Sequence, residues 1–300
     1  MKVKRAQKYG FCIGVRQADE RVRAFAAAGR RGRILGQVVH NERVVEDLTR
    51  LGVATVERLD QVDSGAVVFS AHGVPPSFHR TARERGLEIL DTTCPFVYAV
   101  HEEAARARRG GWHLVFIGDP HHREVIGYTH DLDPAVYDVV STVAAAETLD
   151  YARHPRIKIF YQTTLNAEQY EEVARTVESR AREARRADTI CYATKENQDA
   201  ARALAADPEV DAMVVVGGRH SANTRHLWEI CSELKPSLLL HALDELRPGW
   251  FAGCSTVGLT AGASTPDVMI DEVERVLLAL GERPGAARAE RAEAAAGGER

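Results

Sequence analysis

The chain lacks any apolar run of the length that membrane insertion requires. No uninterrupted apolar stretch approaches the roughly 20 residues that cross a bilayer. The charged amino-terminal residues MKVKRAQKYGFC are not followed by the apolar core of a signal peptide. The sequence therefore predicts a cytoplasmic protein that has no membrane partner.

A strong excess of positive or negative charge is also absent. The 39 Lys and Arg residues are scattered among 43 Asp and Glu residues, and the formal net charge is −4. A protein that follows a phosphate backbone needs a basic face, and none is visible in this sequence. We therefore expect no nucleic-acid partner.

Cysteines are few, and none of them belongs to a C-x-x-C pair. Five cysteines spread over 300 residues, an odd number, do not suit a secreted disulfide framework. They fit a reducing compartment, where thiols pack, react or bind metal. Structural zinc generally takes four ligands from local C-x-x-C pairs, so the missing pairs make structural zinc a poor interpretation.

Short apolar, β-branched runs alternate with stretches of helical period. This alternation favours an α/β fold with parallel sheets. The predicted strands are residues 66–69, 114–117, 157–161, 212–216 and 256–259. The predicted helices are residues 97–108, 167–185, 197–206 and 266–280. At 300 residues the chain is long enough for two or three domains.

Each predicted strand runs into a loop rich in Gly, His, Ser, Thr or Asn. The loops are AHGVPPS, DPHHREV, TTLN, RHSANT and AGASTP. The carboxyl ends of parallel strands form a ligand crevice, and helix N-termini attract anions. Five such loops predict a site for a compact phosphorylated ligand held by many neutral donors. Ordinary turn chemistry is the alternative for any single loop.

Three cysteines precede predicted helices: Cys12, Cys94 and Cys191. A helix N-terminus favours the thiolate, which is the form that binds iron or zinc. Three thiolates from separate segments fit an iron–sulfur cluster that has one iron without a protein ligand, although separated buried cysteines are also common. Cys231, inside an amphipathic helix, and Cys254, before a strand, are interpreted as packing residues.

A series of motifs between residue 10 and about residue 280 resembles one known family. In order, they are GFCIGV, VHNERVVEDL, SAHGV, DTTCPFV, HREVIG, QTTL, TICYAT, VVVGGRHSANT and GLTAGASTPD. They are similar to the signatures of the 4-hydroxy-3-methylbut-2-enyl diphosphate reductase (IspH/LytB) family. The resemblance implies three pseudo-equivalent α/β domains, arranged as a trefoil around a central cluster.

Each implied domain contributes one cysteine. The expected boundaries are 1–93, 94–187 and 188–281, and residues 282–300, rich in Ala, Arg, Glu and Gly, are expected to form a disordered tail. The resemblance implies that Cys12, Cys94 and Cys191 ligate a 4Fe–4S cluster. On this hypothesis DTTC (residues 91–94) and DTIC (residues 188–191), here called the first and the second collar, are equivalent cysteine loops around one metal centre.

The implied reaction is the last step of the non-mevalonate isoprenoid pathway. The allylic hydroxyl of the substrate is removed with two electrons and two protons, which gives isopentenyl and dimethylallyl diphosphates. By resemblance, Glu124 donates the proton that lets the hydroxyl leave, Thr163 positions that hydroxyl and His122 supports the relay. A carboxyl in such a site needs a raised pKa to act as an acid at neutral pH. The alternative interpretation is that Glu124 is a first-turn carboxylate that interacts favourably with the positive end of the helix dipole.

The diphosphate-binding residues are carried over from the same motifs. They are His40, His72, Thr164, His220, Ser221, Asn223 and Ser264. Each of these residues can also serve as a helix cap or turn residue, and Asn41 is expected to cap a helix whatever the ligand is.

Two positions depart from the family pattern. The loop that the family usually writes Asn-Ser-Ser-Asn is here His220-Ser221-Ala222-Asn223, so one phosphate-facing hydroxyl is missing. The loss of a hydrogen bond to a charged group costs about 1.5–3 kcal/mol, unless His220 compensates as a cation. The family's His-Pro-Glu is here His122-Arg123-Glu124, and an inward-pointing Arg123 would lower the pKa of Glu124.

Three functions are therefore compared. The first is the isoprenoid reductase, and the second is a paralogue that performs the same cluster chemistry on a different anionic substrate. The third is a non-catalytic iron–sulfur redox sensor or a zinc-stabilised binding protein, against which Glu124 and Thr163 argue, since neither role needs a proton relay. No G-x-G-x-x-G fingerprint occurs, so electrons must come from an external donor, which the resemblance implies to be ferredoxin or flavodoxin.

Overall fold

The structure, a computed structural model, describes residues 1–281, and the expected tail at 282–300 lies outside the described residues. The strands are β1 (Lys2–Arg5), β2 (Gly32–Leu35), β3 (Val53–Val56), β4 (Ala66–Phe69), β5 (Glu88–Asp91), β6 (His113–Ile117), β7 (Tyr137–Val140), β8 (Arg156–Tyr161), β9 (Glu183–Arg186), β10 (Ala212–Val216), β11 (Ser237–Leu240) and β12 (Thr256–Ala261). The helices are α1 (Ile13–Ala27), α2 (Glu42–Arg50), α3 (Pro76–Glu84), α4 (Pro95–Arg109), α5 (Arg123–Thr129), α6 (Val143–Glu147), α7 (Glu171–Arg180), α8 (Tyr192–Ala206), α9 (Ala222–Ser232) and α10 (Asp267–Gly281).

The strands form three four-stranded sheets that share one strand order. The orders are β3-β2-β4-β5, β7-β6-β8-β9 and β11-β10-β12-β1, and all neighbours are parallel. In the first two sheets the chain begins at an inner strand, visits one edge, crosses to the second inner strand and ends at the other edge. The third sheet repeats this path from β10 through β11 to β12, but its second edge strand is the amino-terminal β1. The predicted α/β class with three equivalent parallel sheets is confirmed.

All five predicted strands are inner strands, and the structure confirms them. Two of them are apolar throughout: β4 reads AVVF and β10 reads AMVVV, and every residue of both is buried. Burial on both faces requires a continuous apolar run. The edge strands were not predicted, and two of them are polar and half exposed: KVKR in β1 and EARR in β9.

One predicted helix is too long. Residues 167–185 were expected to be helical, but α7 covers only Glu171–Arg180, and Glu183–Arg186 forms the edge strand β9. Charged residues such as Arg185 suit the exposed face of a helix and of an edge strand equally well. Pairing with β8, from Arg156↔Glu183 to Ile159↔Arg186, decides the conformation.

The amino-terminal strand belongs to the sheet of the last third of the chain. β1 pairs with β12, from Lys2↔Thr256 to Arg5↔Leu259, whereas the expected first domain, 1–93, includes β1. The chain divides into two compact units, one of residues 1–12 with 196–281 and one of residues 13–195. The expected domain boundaries stay a prediction.

Each sheet packs helices against its own apolar core. β12 and α10 bury Leu259, Ile270 and Val273 in one such core, against which Cys254 is packed. Cys231 of α9 is fully buried, and burial raises the pKa of its thiol to about 12, so the prediction that it is a core residue is confirmed. Within residues 1–281, no helix has the length and apolar character needed to span a membrane.

Candidate functional site

Residues of the expected site follow the carboxyl ends of the two inner strands in every sheet. In this strand order the crevice outside the two inner strands is the usual ligand site. The loops after β2 and β4 carry His40 and His72; those after β6 and β8 carry His122, Glu124, Thr163 and Thr164; those after β10 and β12 carry His220, Ser221, Asn223 and Ser264.

The three cysteines occupy the same position in the three sheets. Each follows the edge strand that neighbours the second inner strand, and each immediately precedes a helix of 15 residues, which confirms the predicted helix entrances. Each backbone N–H donates to a carbonyl two residues beyond the end of that inner strand. The bonds are Cys12 to Ala263 (3.1 Å), Cys94 to Ala71 (3.0 Å) and Cys191 to Thr163 (3.0 Å).

The thiol of Cys94 lies in a space that only a glycine leaves open. A Cβ added to Gly14 of α1 would come 2.5 Å from the Cys94 Sγ atom and 3.2 Å from its Cβ. Such a distance is far inside van der Waals contact, so any larger residue at Gly14 would displace the thiol. The glycine of the motif GFCIGV therefore has a packing role that the sequence did not disclose.

The Cys191 thiol interacts electrostatically with Cys94 and with Glu124. Burial raises the pKa of the Cys191 thiol, backbone N–H groups of Ala193 and Thr194 lower it, and the charges of Cys94 and Glu124 raise it. Two N–H donors at a helix N-terminus stabilise a thiolate. The five cysteines are all thiols. In the described part of the chain, no group of three or more His, Cys, Asp or Glu side chains is placed to hold a metal ion.

A buried carboxyl and hydroxyl form the most tightly bonded pair of the site. Glu124 is 3% exposed and Thr163 is 4% exposed. The Thr163 backbone N–H donates to Glu124 Oε2 (3.0 Å), and the Thr163 hydroxyl lies 2.8 Å from Oε1 and 2.9 Å from Oε2. Burial raises the pKa of Glu124 to about 7 although both Thr163 hydrogen bonds lower it. Burial thus moves the pKa of Glu124 toward neutrality, as a general acid requires.

His122 caps the helix that carries Glu124. Its Nδ1 accepts the Glu124 backbone N–H (3.3 Å), which assigns the proton of a neutral ring to Nε2. Arg123 points away from the acid, because its guanidinium covers Gly36 and pairs with Glu57 (3.0 Å). Its charge is not among the causes of the Glu124 pKa, so the alternative in which Arg123 acidifies the carboxyl is wrong.

Three imidazoles gather beside this helix. The ring centroid of His72 lies 4.2 Å from that of His40 and 6.0 Å from that of His122. Burial lowers the pKa of His72 well below its usual value, and the charges of His40, His122 and Arg123 lower it further. Its Nδ1 is buried without a hydrogen-bond partner. A bound anion would give this nitrogen a hydrogen-bond partner. Its negative charge would also offset the neighbouring positive charges that lower the pKa of His72.

The third sheet carries a neutral polar group of three buried side chains. Ser221 caps α9 by accepting the Thr224 N–H (3.2 Å), and the Ser264 hydroxyl donates to Ser221 Oγ (3.3 Å). Asn223 Oδ1 accepts the Ala263 N–H (2.8 Å), whereas its Nδ2 is buried without a partner. An unsatisfied buried donor of this kind suits an anion.

His220 is exposed, and Ala222 is half-buried. The change from the family's Asn-Ser-Ser-Asn therefore leaves the buried pair Ser221 and Asn223 in place. The expected cap at Asn41 is confirmed, because its Oδ1 accepts the Val44 N–H (3.3 Å).

Two residues that sequence reasoning missed also belong to this region. Gln162, 2% exposed, donates to Thr164 Oγ1 (2.8 Å) and accepts the Asp119 N–H (3.2 Å), so it joins the loops after β6 and β8. Tyr128 of α5 lies one helical turn after Glu124. Gln162 could have been found as the first letter of QTTL, and Tyr128 from its spacing of four to Glu124.

Fold and site together define a class of α/β protein in which each of three equivalent sheets presents one thiol, and one sheet adds a buried acid. The model of the LytB protein family matches residues 3–278, and the chain belongs to this family. It is 35% identical to the 4-hydroxy-3-methylbut-2-enyl diphosphate reductase of Aquifex aeolicus, over 90% of this chain and 93% of the relative.

Two solved structures have a similar fold. One is the E-1-hydroxy-2-methyl-but-2-enyl-4-diphosphate reductase from Plasmodium falciparum, with a TM-score of 0.87, 25% identity, and coverage of 95% of this chain and 89% of that chain. The other is described as (E)-4-hydroxy-3-methyl-but-2-enyl diphosphate reductase, the terminal enzyme of the non-mevalonate pathway. Its TM-score is 0.68 and its identity 34%, with coverage of 93% of this chain and 99% of that chain.

Proposed function

We propose that this protein is a reductase of 4-hydroxy-3-methylbut-2-enyl diphosphate, the reaction named in its relatives. The allylic C–O bond breaks, the hydroxyl leaves as water, and the carbon chain takes up two electrons and a proton to give isopentenyl or dimethylallyl diphosphate. The second proton is the one that leaves in the water. The observation that carries the proposal is the Glu124–Thr163 pair, a buried acid with a pKa of about 7 beside two thiols.

Family membership and the cysteine geometry support a 4Fe–4S cluster held by Cys12, Cys94 and Cys191. The residues fit such a group because all three cysteines make the same backbone hydrogen bond beyond the end of an inner strand, and because Gly14 leaves space for the Cys94 sulfur. A single-ion site is not required, since each cluster thiolate binds a different iron. When bound, the cluster would supply electrons and a Lewis-acidic iron.

The proton transfer follows from the contacts of Glu124. In its protonated form the carboxyl donates to Thr163 Oγ1, which frees the Thr163 hydroxyl to donate to the leaving oxygen of the substrate. The Thr163 N–H keeps the carboxyl oriented through the step. His122 fixes the first turn of α5 and hence the position of Glu124. General acid catalysis of this kind contributes about 10²- to 10⁴-fold in rate.

The anionic end of the substrate is assigned to the remaining polar residues. His40 and His72 offer imidazoles in one sheet, and Ser221, Asn223 and Ser264 offer neutral donors in another. The unpartnered Nδ1 of His72 and Nδ2 of Asn223 support this assignment. Thr164 and the exposed His220 are proposed as secondary contacts. A cytoplasmic location and an external ferredoxin or flavodoxin donor complete the proposal.

The proposal is tested by an anaerobic assay. The purified protein is analysed for iron and cluster absorbance, and dithionite-driven reduction of 4-hydroxy-3-methylbut-2-enyl diphosphate is then measured. The matched control is the same allylic diol without its diphosphate. We expect conversion of the diphosphate to the two C5 diphosphates and far slower conversion of the control.

Two other results would contradict the proposal in different ways. An intact cluster with negligible turnover would indicate the paralogue, and the Ala222→Ser variant would then be assayed first. Absence of iron from anaerobically prepared protein would contradict both the reductase hypothesis and the redox-sensor hypothesis.

A further inference from the structure

Arg123 is the first residue of α5, and the proposed chemistry does not use its side chain. The guanidinium reaches from α5 to the first sheet (β3-β2-β4-β5). There it lies over Gly36, which follows β2, and a Cβ added to Gly36 would overlap it. Its Nη2 also donates to Glu57 Oε2 (3.0 Å), and Glu57 follows β3. Because β2 and β3 are neighbours, Arg123 covers the carboxyl ends of two adjacent strands.

The segment under this guanidinium carries an expected ligand of the substrate. Residues 36–41, here called the His40 loop, connect β2 to α2 without regular secondary structure. The ring of His40 lies 5.6 Å from the ring of His122, which it meets edge-on. His122 immediately precedes Arg123, so the imidazole pair and the guanidinium span the same gap between α5 and the first sheet. A loop of this kind depends on side-chain contacts for its position.

The guanidinium also brings a positive charge to this region. Its charge is one of those that lower the pKa of the buried His72, whose ring lies 4.2 Å from that of His40. The carboxylate that pairs with Arg123 belongs to Glu57, which is 71% exposed, and water screens such a pair strongly. The positive charge is therefore only partly offset, which favours an anion beside the two imidazoles.

The acid of α5 is held separately. Both oxygens of Glu124 are bonded to Thr163, which follows β8 of the second sheet, and the guanidinium takes no part in these bonds. The segment after α5 has its own link to the first turn of α3, because Asp131 Oδ2 accepts the Ser77 N–H (2.6 Å). Loss of the guanidinium would therefore loosen the His40 loop and leave the acid in place.

We propose that Arg123 is a positioning residue that holds the His40 loop against α5 and so sets the affinity for the diphosphate end of the substrate. The inference rests on the proposed function, which assigns that end to His40 and His72. Arg123 acts through the loop rather than as a direct phosphate ligand, because its guanidinium is already packed over Gly36 and paired with Glu57. Imidazoles that are held at a fixed spacing bind an anion without first losing conformational freedom.

The test replaces Arg123 by proline, the residue of the family pattern at this position. Proline is favoured at the first position of a helix, and His122 has the extended backbone (ψ 137°) that a residue before proline adopts, so Arg123→Pro should fold. Its affinity for inorganic pyrophosphate, measured by titration calorimetry on anaerobically purified protein, should fall about three- to tenfold. The substrate KM should rise by a similar factor, while kcat stays within about twofold of wild type.

Two further variants separate the tether from charge alone and from direct binding. Arg58→Gln removes an equal charge from the residue next to Glu57, but Arg58 pairs with Asp60 of its own segment (3.0 Å), so this variant should bind pyrophosphate like wild type. Glu57→Gln loosens the tether and should weaken pyrophosphate binding about two- to fivefold. If Arg123 were instead a direct phosphate ligand, its release from Glu57 would strengthen that binding.

Unchanged pyrophosphate affinity in Arg123→Pro, or an equal loss in Arg58→Gln, would overturn the inference. Tighter binding by Glu57→Gln would do the same, as would a fall in kcat without a change in KM in Arg123→Pro. Absence of pyrophosphate binding by the wild-type protein would also overturn it. Wild-type protein that binds pyrophosphate but does not reduce the substrate would contradict the proposed function and leave this inference standing.

Discussion

The stretches DTTC (residues 91–94) and DTIC (residues 188–191) anchor their threonines alike but surround their aspartates differently. The Thr92 hydroxyl donates to the carbonyl of Phe69 (2.5 Å), and the Thr189 hydroxyl donates to that of Tyr161 (2.9 Å). Each carbonyl belongs to the last residue of an inner strand. The shared threonine therefore fastens the cysteine loop to the sheet rather than capping the helix that follows.

The aspartates do not share a role. Asp91 is half-buried and accepts the Thr93 N–H (2.9 Å) and the Tyr98 hydroxyl. Burial alone would raise the pKa of Asp91, but the hydrogen bonds from Thr93 and Tyr98 lower it below its usual value. Asp188 is 81% exposed and pairs with Lys195 (2.5 Å).

The two collars also differ in what they connect. Cys191 donates its N–H to Thr163, and Thr163 in turn binds Glu124, so the second collar joins a thiol to the acid. In the first collar the Cys94 N–H donates to Ala71 instead, and the Cys94 thiol lies against Gly14. On the proposed function, equivalent positions in the fold would bind the cluster in both collars, whereas proton transfer would belong to the second collar.

The largest effect is expected from removing either thiol. Cys94→Ser and Cys191→Ser should each lose the bound iron, because a serine oxygen is a poor ligand for a site built from thiolates. Iron content and absorbance after anaerobic purification measure the loss. Cys254→Ser, a partly buried cysteine in the core of another sheet, should keep its iron. Loss of iron in only one of the collar variants would break the equivalence of the two collars.

The next effect isolates the second collar. Glu124→Gln should keep its iron but lose about 10²- to 10⁴-fold in turnover, because the amide cannot donate the proton.

Since the pKa of Glu124 is about 7, wild-type activity should fall as the pH rises through 7 and the acid loses its proton. Thr163→Val removes a hydrogen bond that lowers this pKa, so its falling limb should move to higher pH. Unchanged turnover in Glu124→Gln would refute the role of the acid.

A third variant probes the first collar alone. Gly14→Ala should weaken iron retention, because its Cβ would overlap the Cys94 sulfur. Gln17→Ala, on an exposed position of the same helix, controls for the helix propensity that alanine adds. The rate of iron release to a chelator is the measurement. Equal rates in the two variants would show that the thiol can move aside without loss of the ligand.

The sequence predicted the parts of this molecule that depend on local pattern. Inner strands such as AVVF were recognisable because burial on both faces demands an apolar run, and the motifs identified Glu124 and Thr163. Edge strands such as EARR were not, since their conformation depends on pairing with a distant segment.

The collars show the same division. The Asp-Thr-x-Cys motif is visible in the sequence. The hydrogen bond from Cys191 to Thr163, however, joins residues 28 positions apart, and the contact between Gly14 and Cys94 joins residues 80 positions apart. No periodicity encodes contacts of this kind. The orphan hydroxyl of Tyr128 is equally invisible, because only burial distinguishes it from a surface phenol.

The smallest effect separates the two aspartates. Asp91→Ala leaves the Thr93 N–H and the Tyr98 hydroxyl without an acceptor and should cost about 1–3 kcal/mol of unfolding free energy. Asp188→Ala removes an exposed ion pair and should cause a much smaller change. Urea unfolding of iron-free protein measures both, and Asp91→Asn, which keeps one acceptor oxygen, should fall between them. Equal losses of unfolding free energy in Asp91→Ala and Asp188→Ala would mean that the threonine and the backbone alone hold both loops. The aspartate of Asp-Thr-x-Cys would then contribute to solubility rather than to the structure of the site.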